Sequence, residues 1–258
     1  MNKIHYRIKG TGPALVLLHG FMESSEMWHP FLPSLVKDFS VVMIDLPGHG
    51  KSYNLGSTHS MHTMAETVKS VLDKERISKC TLTGHSMGGY VGLAFAKLYP
   101  ETLNGLVLLH SHPDEDSEEA RKNRDRTIDI IKNNKTDFIS KFISSLYFEE
   151  NRNRLTHKIE KQIQIARSMK PEGIIAALRG MKERESAVDF LHKTNIPILF
   201  IIGKQDSRAN LSRLIELMAI PEHCESLIMD NVAHMGFHEA EYITINTIHH
   251  FSLKCAKV

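Results

Sequence analysis

Thr83-Gly84-His85-Ser86-Met87-Gly88-Gly89 decides how the rest of the chain is read. Lys79 to Leu82 before it predicts a short strand, and Tyr90 to Leu98 after it, rich in alanine and apolar residues, predicts a helix. A serine therefore stands on a sharp strand-to-helix turn. Such a turn crowds the backbone on both sides, so the positions two before and two after the serine must be small, and Gly84 and Gly88 meet that need. The Ser86 hydroxyl is then exposed at the tip, and the helix behind it aims its positive dipole end and free N–H groups at any oxyanion formed there. By composition a G-x-S-x-G string arises in roughly one chain of this size in twenty. Its flanking strand and helix are what give it meaning.

Outward from the turn, strand patterns alternate with helical ones. Ile4 to Lys9 alternates like an exposed edge strand and ends at Gly10-Thr11-Gly12-Pro13. Ala14 to Leu18, Ser40 to Ile44, Leu103 to Leu109 and Ile196 to Ile202 are continuous apolar runs, as strands buried on both faces of a parallel sheet require. Helices are expected over Met27 to Val36, His62 to Leu72 and Glu239 to Phe251, and a last strand over Ser226 to Met229. This βαβ rhythm predicts an α/β fold with a mostly parallel, doubly wound sheet. It breaks after His112-Pro113. Helical patterns follow over about Asp114 to Arg126, Lys135 to Leu146, Arg154 to Ser168 and Pro171 to Arg179, with no strand among them. Residues 113–185 are therefore expected to form an all-helical lid inserted into a core of residues 1–112 and 186–258. Met169, Met181, Phe138, Phe142, Tyr147 and Phe148 are its candidates to line a pocket, although packing between helices explains any one of them better.

Composition narrows the function classes. A hydrophobic content of 41% and a charged content of 24% are those of an ordinary globular protein. A formal net charge of +2, with acids and bases interleaved, gives no basic face for nucleic acid. Cys80, Cys224 and Cys255 are odd in number and far apart, which fits neither a disulfide framework nor a zinc site. The N-terminus lacks the apolar core of a leader, and no run reaches the roughly 18 residues of a membrane span. A cytoplasmic protein without a membrane partner is the expectation.

A serine hydroxyl needs a base within hydrogen-bond reach and a third group to fix that base's tautomer. Asp206 stands just past the Ile196 to Ile202 strand, and His234 lies in the loop after the last strand. Ser86, Asp206 and His234 are thus the candidate nucleophile, acid and base, with the backbone N–H groups of Phe21 and Met87 as oxyanion donors. Asp114 is the rival acid and His238 the rival base; Asp230 is too close in sequence to His234. His19 and His49 read as loop-structuring residues. His85 is expected to point away from the pocket and is assigned no chemistry. No spacing supports a metal site, and no cofactor is expected.

His19-Gly20-Phe21, Asp45-Leu46-Pro47-Gly48-His49-Gly50-Lys51-Ser52, Gly84 to Gly89, Gly203 to Asp206 and His234 together resemble the α/β hydrolase superfamily. The resemblance implies a serine hydrolase, carboxylesterase-like, acting on a small-molecule acyl substrate under a helical lid. Ser86 departs from the aspartate nucleophile of the haloalkane dehalogenases and epoxide hydrolases. His85 departs from the asparagine of most meta-cleavage carbon–carbon hydrolases. The His-Gly-Phe start and Trp28 are shared with the menaquinone-pathway synthase, but Tyr90 stands where that enzyme carries arginine. Met87 replaces the elbow tryptophan usual in proline iminopeptidases. A carbon–carbon hydrolase or synthase of this fold, or a ligand-binding member with little turnover, remains as the alternative.

Overall fold

The computed structural model describes residues 4–257, so the first three residues of the stretch read for a leader lie outside it. Seven strands form one sheet: β1 (Tyr6–Lys9), β2 (Ala14–Leu18), β3 (Ser40–Ile44), β4 (Cys80–His85), β5 (Leu103–Leu109), β6 (Ile198–Gly203) and β7 (Cys224–Met229). Their order across the sheet is β1-β3-β2-β4-β5-β6-β7. Only β1 runs antiparallel, pairing with β3; the other neighbours are parallel. The apolar runs sit where helices cover both faces: Leu15 to Leu18, Val41 to Ile44 and Leu106 to Leu109 are fully buried.

The chain passes from β2 outward to β3 and returns to β4 on the other side of β2. In an open parallel sheet, ligands bind beside such a reversal, outside the carboxyl ends of the strands. The register aligns those ends, with Leu18 opposite Ile44 and Gly84, and His85 opposite Leu109. The loops holding His19 to Phe21, Ser86, His110 and Asp206 therefore leave the sheet along one edge.

The longer helices are α1 (Met61–Lys74), α2 (Met87–Leu98), α3 (Glu118–Ser145), α4 (Thr156–Ser168), α5 (Pro171–Lys182), α6 (Leu211–Met218) and α7 (Glu241–Cys255). α1 buries Met64, Ala65, Val68, Val71 and Leu72, one stripe at helical spacing, and the Ser60 hydroxyl caps it by accepting from the Thr63 N–H at 3.0 Å.

Two elements differ from the sequence reading. The helix expected over Met27 to Val36 is a 3-10 segment, Ser25–Phe31, followed by one α turn, Leu32–Leu35. Pro30 and Pro33 each lack an N–H, which prevents a continuous α ladder there. The two helical runs expected on either side of residue 130 are instead one 28-residue helix, α3. Ser117 caps it, Glu118 and Glu119 suit its positive end, and neither Gly nor Pro interrupts it. α3, α4 and α5 follow one another between β5 and β6, with no strand among them. Among the described residues no helix is long and apolar enough to cross a membrane.

Candidate active site

The turn after β4 holds Ser86 at φ 50° and ψ −113°, a conformation that costs a non-glycine residue strain. Hydrogen bonds to both its N–H and its carbonyl hold it there. The Ser86 N–H donates to Leu109 O at 2.9 Å, while its carbonyl accepts from the Ser111 hydroxyl at 2.8 Å and the Gly89 N–H at 2.9 Å. The small residues are a steric necessity: a Cβ on Gly84 would lie 2.2 Å from Gly88 O, and one on Gly88 would lie 2.6 Å from Leu18 O.

His234 Nε2 lies 2.9 Å from Ser86 Oγ, and His234 Nδ1 lies 2.7 Å from Asp206 Oδ2. Since the Asp206 carboxylate only accepts, His234 carries its proton on Nδ1 and offers the Nε2 lone pair to the serine hydroxyl. Burial would push the Asp206 carboxyl up, but the facing His234 and His110 reverse this and hold it well below the usual carboxylate range. Its other oxygen, Oδ1, accepts the Arg208 N–H at 2.9 Å. The rivals are occupied elsewhere. Asp114 is bidentate to Arg213, and His238 Nδ1 lies 2.8 Å from the Tyr147 hydroxyl.

A cavity of about 510 Å³ opens over Ser86 and His234. Phe21, Tyr90 and His112 line it from the sheet side, and Phe142, Leu146 and Met181 from the helices between β5 and β6. Of the aromatic and methionine side chains considered for lining, Phe142 and Met181 face the cavity. Tyr147 and Met169 are buried in packing, and Phe138 stacks on Phe142 at 5.5 Å. Met87 opens α2, whose N-terminus has no side-chain cap. Phe21 also lines the cavity, in a turn shaped by Met22 at φ 59°. Charged groups at the rim are largely paired: Asp116 takes both Arg124 and Arg184.

This geometry agrees with a match over residues 13–241 to the family described as the alpha/beta hydrolase fold. The chain belongs to that family. Among solved structures, a thermophilic esterase from Thermogutta terrifontis, studied with malate bound, is 29% identical with a TM-score of 0.93, covering 98% of this chain and 94% of that one. A putative 2-succinyl-6-hydroxy-2,4-cyclohexadiene-1-carboxylate synthase from Bacillus subtilis (strain 168) is 27% identical over 219 residues, 80% of this chain and 79% of that protein. A pimeloyl-[acyl-carrier protein] methyl ester esterase from Aeromonas hydrophila is 38% identical over 105 residues, 40% of each chain. Several curated relatives match only locally, and the chain spans 30% to 40% of their length.

Two parts of this hydrolase-fold site were not legible as such. His110 follows β5 at φ 48°, and its Nδ1 faces Asp206 Oδ2 at 3.4 Å. Its Nε2 accepts the Gly236 N–H at 3.2 Å, which places the ring proton on Nδ1, toward the carboxylate. The only sequence signal was its place at a strand end, shared with His19. His85 is the second: it is among the residues around the cavity, but its side chain is only 1% exposed. Its ring lies inside the protein, against Glu23 and the His234 carbonyl. His110, Asp206 and His234 also bring three ligand-type atoms within 4.8 Å of one another, a spacing their contacts with the carboxylate already explain. His19 and His49 do structure loops: His19 Nε2 accepts the Leu46 N–H at 2.9 Å, and His49 Nδ1 lies 3.1 Å from Pro47 O.

Proposed function

We propose that this protein is a serine hydrolase that cleaves a small carboxylic ester or related acyl bond through an acyl-enzyme on Ser86. The observation that carries this reading is the line Ser86 Oγ, His234, Asp206, with contacts of 2.9 and 2.7 Å, at the floor of the cavity. His234 Nε2 takes the hydroxyl proton as Ser86 Oγ attacks the acyl carbon. Asp206 stabilises the imidazolium that results. The N–H groups of Phe21 and Met87 receive the oxyanion, and losing one such donor costs about 3 kcal/mol of transition-state stabilisation. His234 then protonates the leaving alcohol. Water, deprotonated by the same nitrogen, releases the acid and restores Ser86.

The helices α3 to α5 act as the lid of this site, residues 113–185 being the insertion, and their faces set which acyl group fits. The esterase from Thermogutta terrifontis, at 29% identity over nearly the whole chain, supports the esterase reading. The synthase relative keeps a second reading in view, in which Ser86 and His234 move a proton without an acyl-enzyme. Against it stands Tyr90, neutral at the cavity wall, where the synthase resemblance calls for arginine. Hydrolysis of short p-nitrophenyl esters by the wild type and by Ser86→Ala decides between them. Burst release of p-nitrophenol followed by steady turnover supports the acyl-enzyme; an inert wild type refutes it.

A further inference from the structure

Glu23 and His85 are each only 1% exposed, and neither has a role in the acyl transfer described above. Their contacts form one continuous line. Glu23 Oε2 accepts the Gly20 N–H at 2.6 Å and lies 2.9 Å from His85 Nδ1, while His85 Nε2 lies 3.0 Å from the His234 carbonyl oxygen. Both ring nitrogens of His85 thus face groups that only accept, a carboxylate and a backbone carbonyl. A ring so placed donates from both nitrogens, and is an imidazolium. Burial disfavours the charge on each partner, yet the facing charges win: Glu23 is held below its ordinary value and His85 above its own.

The line is packed as well as bonded. A methyl group on Gly20 would lie 2.6 Å from His85 Nδ1 and 2.7 Å from Glu23 Oε2, so the brace lies directly against the turn that presents Phe21. His85 packs edge-on to Phe237, with ring centroids 4.9 Å apart, and lies 5.1 Å from the His234 ring. From the lid side, Gln162 on α4, itself buried, donates to Met22 O at 2.9 Å, fixing the same turn from above.

We infer that Glu23 and His85 are positioning residues that hold the Phe21 oxyanion donor and the His234 base in register with Ser86. The three loops that carry these groups leave different strands, and this pair ties them together behind the nucleophile. The inference rests on the hydrolase reading for its kinetic consequence, but the brace itself is observable without turnover. Gln at position 23 keeps both contacts that Glu23 makes through Oε2, without its charge. With its amide oxygen in the place of Oε2 it accepts from the Gly20 N–H and from the His85 Nδ1–H, and His85 Nε2 still donates to the His234 carbonyl while the ring keeps both protons. Ala can do none of this.

The test compares wild type, Glu23→Ala and Glu23→Gln in the full chain, with p-nitrophenyl acetate as substrate and 15N-histidine NMR at pH 8. Displacing an oxyanion donor or base by a fraction of an ångström to 1 Å is expected to lower kcat about 100-fold in Glu23→Ala with KM within about twofold. Glu23→Gln is expected to recover to within about fivefold of wild type. Wild-type kcat in Glu23→Ala, or equal losses in both variants, overturns the proposal. In the spectra, wild-type His85 shows two ring N–H groups, and the His234 Nδ1–H resonance moves in Glu23→Ala but stays in place in Glu23→Gln. A neutral His85 in the wild type, or an unmoved His234 resonance in Glu23→Ala, overturns it equally. If the wild type hydrolyses no ester, the hydrolase reading fails and these spectra alone judge the brace. Should Glu23→Ala not fold, the wild-type and Glu23→Gln spectra do so.

Discussion

His110 Nδ1 faces Asp206 Oδ2 at 3.4 Å, on the same oxygen that makes the 2.7 Å contact with His234. At that distance and angle the contact is electrostatic support and not a full hydrogen bond. It still limits how the carboxylate turns. His110→Ala is expected to lower kcat about 5- to 10-fold with KM unchanged, because the Asp206 to His234 alignment loosens while the pocket stays. It should also cost about 1–3 kcal/mol of stability by orphaning the buried Gly236 N–H. Steady-state kinetics and urea unfolding of one variant measure both.

Asp206→Asn keeps the size of the side chain but presents an NH2 where an acceptor is needed. If that group faces Nδ1, His234 takes the tautomer that cannot accept the Ser86 proton. The expected result is a loss of about 10³- to 10⁴-fold in kcat with a native circular dichroism spectrum. Asp114→Asn, which changes only the rim pair with Arg213, is expected to stay near wild type. Near-equal rates for the two variants would move the acid's role away from Asp206.

Five buried or half-buried histidines make the fold acid-labile. Burial depresses His49 and His238 to about 3, and His59, His110 and His112 to about 4, from the ordinary 6.5. These rings are neutral in the folded chain at pH values where the unfolded chain already binds protons. Their contribution is fully present above pH 6.5 and is lost as pH falls from 6.5 toward 4, or toward 3 for His49 and His238, by up to about 1.4 kcal/mol per pH unit for each. His85 has the opposite sign: its raised value contributes stability present below 6.5 and lost as pH rises through that raised value. Calorimetry should show Tm falling by about 10 °C or more between pH 7 and pH 5. A flat Tm over that interval contradicts the burial of these rings as neutral groups.

Gly84→Ala tests the steric argument for the elbow. Its new Cβ would meet backbone, Gly88 O at 2.2 Å, and not a flexible side chain that can move aside. A loss of about 3 kcal/mol or failure to fold is expected. Gly56→Ala, with nothing within 4 Å, serves as the control and should cost less than about 1 kcal/mol.

Apolar runs and the residues that follow them carried most of the architecture. Leu15 to Leu18 and Leu106 to Leu109 read as parallel strands because both faces are covered, and the sheet bears that out. Ser86, Asp206 and His234 were legible as candidates because each stands just beyond a strand, where loops share one edge. The line through Glu23, His85 and the His234 carbonyl was not legible. Those groups are far apart in sequence, and no periodicity records which way a loop side chain turns. The segment after Ser24 misled for a local reason, since Pro30 and Pro33 convert an apparent helix into 3-10 turns.

The most direct measurement of the central claim is labelling by a fluorophosphonate, followed by peptide mapping of the modified residue. The account predicts stoichiometric modification of Ser86 in the wild type, a rate slowed at least about 100-fold in His234→Ala, and no label in Ser86→Ala. Absence of label on the folded wild type, or undiminished labelling of Ser86 in His234→Ala, would contradict it.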